Sequence, residues 1–197
     1  MSFTAGALLV RESMVVARLA GEAPDWDRVK REVLAGNLLQ MRTASASQRI
    51  LREVIARLRL LTPPQTRLLL SGSRQEQNHL LWLAICKRYR FIQDFAVQVL
   101  REKLLRLDLA VTREDFDLFF NAKAEWHDEL ERLTPSTRTK LRQIVFRMLR
   151  EAELLTAEHC IVPVVLSSQT AAAIQEDDAA CLDIFPMAAP QLAQARS

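Results

Sequence analysis

Glycine is scarce, with four residues in 197. That leaves no glycine-rich phosphate loop of either nucleotide-binding type. β-branched runs are scarce too, while Leu, Ala, Arg, Glu and Gln recur throughout and favour helix. No apolar run approaches the roughly 20 residues needed to cross a bilayer. The longest uncharged stretch, His159 to Gln175, is interrupted by Pro163, two serines, Gln169 and Thr170. Three widely spaced cysteines, Cys86, Cys160 and Cys181, with no secretory leader pattern, fit free thiols in a reducing cytoplasm. His79, His127 and His159 each lack a second ligand at metal spacing. Glu125, His127, Asp128 and Glu129 cluster, but as a solvated acidic face. No catalytic arrangement emerges, so the expectation is a non-enzymatic protein without a cofactor.

What is present is a helical composition with 49% hydrophobic residues, enough for a sizeable core. The expected fold class is all-α, mainly a helical bundle. The net charge of +3 hides strong blocks. Residues 28–106 carry 16 basic and 5 acidic side chains, and residues 134–150 carry 5 basic and none acidic. Residues 107–133 carry 3 basic and 8 acidic, and residues 151–197 carry 1 and 7. Such segregation suits a surface with distinct positive regions, which attract phosphate backbones or anionic membranes.

Periodicity and capping signals divide the chain. A first helix ends near Gly21. Asp25 caps a second, stopped by Gly36-Asn37. Ser45 to Gln48 reads as a capping box for an Arg-rich helix that Thr62-Pro63-Pro64 closes. Ser73 to Glu76 is another capping box and opens the most apolar region, with a break expected near residues 88–91. Thr112 starts an acidic helix anchored by Phe116, Phe119 and Phe120. Ile161 to Leu166 is short, β-branched and interrupted by Pro163, as in an edge strand or a small wing. The expected units are a helical domain over 1–133, a helix-plus-wing subdomain over 134–176, and a tail over 177–197 whose last part is mobile.

The segment from Ser136 to Leu149 reads as a recognition helix. At about 100° per residue, Leu141, Ile144, Val145, Met148 and Leu149 form one stripe. Thr139, Lys140, Gln143, Arg147 and Arg150 lie opposite, with no carboxylate between Thr134 and Arg150. Arg and Lys neutralise phosphates, and Gln, Thr and Arg also reach base edges. Arg138 joins this set. Arg42, Arg49 and Arg52, with Lys87, Arg88 and Arg90, are candidates for further backbone contacts. Tyr89 either stacks on a base or is half-buried packing.

Asn37-Leu38-Leu39-Gln40 and the Arg-rich helix after it form one marker of a known family. Others are the helix containing Phe95, the Phe116–Phe120 helix, and Ser136-Thr137-Arg138-Thr139-Lys140-Leu141 followed by Val162-Pro163. Together they resemble the BrxA proteins of bacteriophage exclusion (BREX) defence systems, over residues 4–175. The resemblance implies a mainly helical fold similar in part to NusB, DNA binding, no known catalytic role, and work beside separate methyltransferase, ATPase and phosphatase-like components. Glu153 departs from the pattern, which places Gly at the end of the long helix. The expected partner is double-stranded DNA, with other BREX components beside it. RNA binding and an assembly role, basic faces meeting acidic proteins or another copy, stay open.

Overall fold

The computed structural model describes residues 6–195. It is built from helices: α1 (Val10–Ala20), α2 (Trp26–Ala35), α3 (Ala44–Leu58), α4 (Pro63–Ser71) and α5 (Arg74–Arg88) come first. Then α6 (Arg90–Phe95) runs through a π turn (Ala96–Arg101) into α7 (Glu102–Leu105). α8 (Arg113–Ala124), α9 (Asp128–Glu131), α10 (Pro135–Glu151) and α11 (Ser168–Asp178) follow. A 3₁₀ turn (Ala179–Ile184) and α12 (Ala189–Ala195) complete the order. The all-α expectation holds. No described helix is long and apolar enough to cross a membrane.

Local chemistry explains the boundaries. Asp25 accepts from the N–H groups of Asp27 and Arg28. Ser73 and Glu76 close a reciprocal capping box, as do Thr112 and Asp115. The start of α3 corrects the sequence expectation. Thr43, not Ser45, is its cap and accepts from the Ala46 N–H at 3.1 Å, while Ser47 is buried in the first turn. Pro63 opens α4, because proline lacks only an N–H that the first turn leaves unpaired anyway. Tyr89, at φ −124° and ψ 96°, breaks the long apolar region where expected.

α5 is the centre of the bundle, packed against α3, α4 and α6. Residues 80–86 are all buried, which is why this helix shows no amphipathic stripe. Trp82 is wholly enclosed, and its indole N–H donates to the Ile184 carbonyl at 3.2 Å. Phe91 and Phe95 pack edge-on or tilted against Phe116 and Phe119, with centroids 5.1 to 6.0 Å apart, and join α8 to the bundle.

The tail expected from 177 is packed through residue 187. Cys181, Leu182, Ile184, Phe185 and Met187 are buried. Ile184 receives the Trp82 bond, and the Phe185 ring meets His79 edge-on at 5.6 Å. A short apolar run covers the open side of α5, and burying it outweighs the entropy of a free tail.

The β element is smaller and earlier than expected. Single antiparallel bridges join Leu155 with Ile161 and Ala110 with Cys160. The Val111 N–H donates to His159 and the Ile161 N–H to Leu109, at 2.9 and 2.7 Å. A tight turn over residues 156–159 therefore lies beside the loop that precedes α8. After Pro163 the chain leaves this pairing, and the Val164 N–H donates to Pro186 instead.

Candidate nucleic-acid interface

α10 carries the site. Thr134 caps it, and Pro135 takes its first position. Its inner side buries Leu141, Val145, Phe146, Met148 and Leu149. Ile144 sits at the margin, half-buried. Thr139, Lys140, Gln143, Arg147 and Arg150 are all exposed. The stripe read from the sequence is thus the docked face, and the basic and amide residues point outward along a helix about 25 Å long.

Not every cation is available. Arg138 donates to the Asp117 carboxylate at 3.1 Å, to the Asp117 carbonyl at 2.9 Å and to Asn121 at 2.8 Å. Its guanidinium also lies 4.6 Å from the centroid of Phe120. Arg142, one turn on, shares the same Asp117 at 3.1 Å. These arginines fasten α10 to α8, so Arg138 moves from the expected contacts to the scaffold. The reason is geometric: positions 138 and 142 face α8, and α8 presents one carboxylate between them.

Beside this seam lies a cavity of 270 Å³ lined by Arg113, Thr139, Arg142, Gln143, Phe146, Arg150 and His159. No carboxylate lines it. Arg113 reaches it from the first turn of α8 and is exposed. His159 sits at the end of the tight turn with φ +64°. Its ring meets Phe146 edge-on at 4.9 Å, and its Nε2 lies 3.0 Å from the Arg150 guanidinium, which donates to it. Arg113 and His159 were not among the residues expected from sequence. Arg113 lies in an acidic segment, and His159 is placed only by the turn.

Farther along α10, Arg147 pairs with Glu151 at 2.7 Å. The other Glu151 oxygen accepts the Leu8 N–H, also at 2.7 Å. Leu8 is fully buried and is preceded by Ala7, whose carbonyl accepts from Arg57 at 2.8 Å. Arg57 is itself buried against Glu53 at 2.7 Å. The segment before α1 therefore straps α3 to the end of α10.

The larger basic block separates into two sorts of residue. Arg42, Arg49 and Arg52 are exposed. Lys87 instead donates to Leu60 and Gln65 and pairs with Asp177. Arg88 pairs with Glu53 at 3.4 Å and lies over the Tyr89 ring. The Tyr89 hydroxyl donates to Glu53 at 2.6 Å, so the ring is half-buried packing and not a stacking platform. Arg90 pairs with Asp94 at 2.8 Å but stays largely exposed. The Cys86 and Cys181 thiols are pushed up by burial, Cys181 to about 11, which keeps both protonated and unreactive.

Helices packed around a buried central one, with Lys140, Gln143, Arg147 and Arg150 exposed along the longest of them, define an all-α protein with a largely basic outer helix face. The chain belongs to the BrxA family, whose model matches residues 1–178. Two curated relatives carry the name BREX protein BrxA. The one from Bacillus cereus (strain H3081.97) is 28% identical over 148 residues, covering 75% of this chain and 74% of its own. That from Escherichia coli O9:H4 (strain HS) is 24% identical over 147 residues, covering 75% and 69%. In fold, the chain is similar to a crystal structure of an uncharacterized protein from Magnetospirillum magneticum, with TM-score 0.79 and 22% identity. That match covers 93% of this chain and 96% of the other.

Proposed function

We propose that the protein is a non-enzymatic, double-stranded DNA-binding component of a BREX-type phage-defence system, acting in the cytoplasm beside other BREX components. The observation that carries this reading is the carboxylate-free cavity formed by Arg113, Gln143, Arg150 and His159 against the outward face of α10. A B-DNA major groove, about 12 Å wide, admits one helix. Lys140, Arg147 and Arg150 neutralise phosphates, and Arg113 reaches the same backbone from α8. Gln143 and Thr139 offer limited base contact. The turn over 156–159 acts as a short wing, bringing His159 to the groove edge. Arg42, Arg49 and Arg52 add phosphate contacts on longer duplexes. Phosphates dominate such an interface, so affinity falls steeply with salt and sequence preference is weak.

Anisotropy of a labelled random duplex, titrated at two salt concentrations with unlabelled RNA as competitor, tests this. Binding that falls with salt and resists RNA supports it. Equal competition by RNA would replace duplex DNA with single-stranded or structured RNA as the partner. No binding at low salt would overturn the reading.

A further inference from the structure

A second cavity, of 450 Å³, lies between α1, α5 and the end of α10. Its chemistry changes from inside to outside. Asn78 is 3% exposed, and Glu12 and Glu151 are half-buried, so the inner wall is rich in oxygen acceptors. Arg11, Arg74, Arg147 and Arg150 are exposed and form the rim.

Several of these groups lack the partners their chemistry asks for. The Asn78 amide donates to Glu153 at 2.8 Å, and a carboxylate only accepts, so the amide cannot turn round. Its Oδ1 is therefore buried with no donor, an arrangement that costs stability. Glu153 also lines the cavity and holds φ +62°, where glycine would sit without strain. An amide oxygen and a carboxylate side by side ask for two N–H groups. At the rim, Arg147 is taken by Glu151, and Arg11 by Leu39 and Gln40. Arg74 and Arg150 have no carboxylate partner among the described residues, and paired guanidiniums suit a phosphate. A water would satisfy the Asn78 oxygen, but not that oxygen and the two arginines together.

We propose that this cavity binds a free nucleotide, the amino edge of its base on Asn78 and Glu153 and its phosphate on Arg74 and Arg150. Guanine presents two adjacent donors, N1–H and the N2 amino group, and fits the two acceptors best. Uracil turns a carbonyl towards them on each side of its N–H and fits worst. Ala7 and Leu9 offer apolar contact to the ring. The volume lies in the range of small-molecule sites, and a base paired and stacked in a duplex cannot enter.

Isothermal titration calorimetry of the full-length chain with GMP, UMP and inorganic phosphate tests this. The titration contains no DNA, so its outcome is independent of duplex binding. GMP should bind one to one, with UMP and phosphate each about tenfold weaker or more, from the lost bonds to the inner acceptors. Arg74→Ala, at an exposed position in the first turn of α5, should weaken GMP binding about tenfold. Glu153→Gly, which suits the backbone there, should do the same. Circular dichroism of each variant checks its fold, and Glu153→Gln replaces Glu153→Gly if the latter is misfolded. No GMP binding at millimolar concentration overturns the proposal. So does UMP or phosphate that binds as tightly as GMP, or GMP affinity unchanged in either variant.

Discussion

Lys140→Ala/Arg150→Ala should lower duplex affinity and flatten its salt dependence, whereas Arg138→Ala, on the same helix, should leave the salt dependence alone. Neither Lys140 nor Arg150 is paired with a carboxylate among the described residues, while Arg138 is held by Asp117, Asn121 and the Phe120 ring. Each phosphate neutralised contributes about 0.9 to the slope of log K against log salt. The double variant should therefore lose roughly 1.8 from that slope. Relative to about 1 M salt, each contact at about 0.1 M is worth roughly eightfold, so the pair accounts for roughly 60-fold in affinity. Arg138→Ala should instead cost about 1–2 kcal/mol of stability, from the lost charge-assisted bonds and the ring contact. Anisotropy titrations at four or more salt concentrations give the slopes, and urea unfolding gives the stabilities. Equal slope changes in the two variants would refute the division between reading and fastening arginines. An unchanged slope in the double variant would remove α10 from the interface.

Three further outcomes concern the scaffold. Arg57→Met leaves Glu53 buried without its main partner and should cost about 3–5 kcal/mol in urea unfolding, while Glu53→Gln/Arg57→Met should recover much of the loss. His79 is lowered from its ordinary 6.5 by burial, opposed by Glu153 and Glu76. It folds neutral, so its share of stability is present above 6.5 and is lost as pH falls through its depressed value. A His79→Leu variant should show a flatter urea midpoint over that range. Glu76 is lowered from 4.5, first by the Ser167 hydroxyl and then by Ser73. Its stabilisation is present above 4.5 and fades as pH falls through the lower folded value, and Glu76→Gln should lack that acid-limb decline in the same assay.

The helical class was legible because periodicity and caps are local. Asp25, Ser73 and Thr112 each do in the fold what their sequence position announces. Residues whose partners lie far along the chain were not legible. Lys87 reads as a surface cation until Asp177, 90 positions away, meets it. Arg138 reads as a phosphate contact until α8 is placed beside it. Arg57 did carry a signal: Glu53 stands four residues before it, on a side of α3 that also bears apolar residues. Glu153 is the reverse case. The resemblance implies Gly there, and the backbone adopts φ +62°, the left-handed region that Gly enters without strain. Here a glutamate holds it and accepts from the Asn78 amide at 2.8 Å.

The strap at residues 7–9 has a consequence for how occupancy of α10 is felt elsewhere. Glu151 is shared between Arg147 and the Leu8 amide, so a phosphate that draws Arg147 away alters the acceptor on which Leu8 depends. Leu8, buried near the start of the described residues, thereby becomes a reporter of α10, 143 positions away. Amide exchange at Leu8 would register a ligand it never touches.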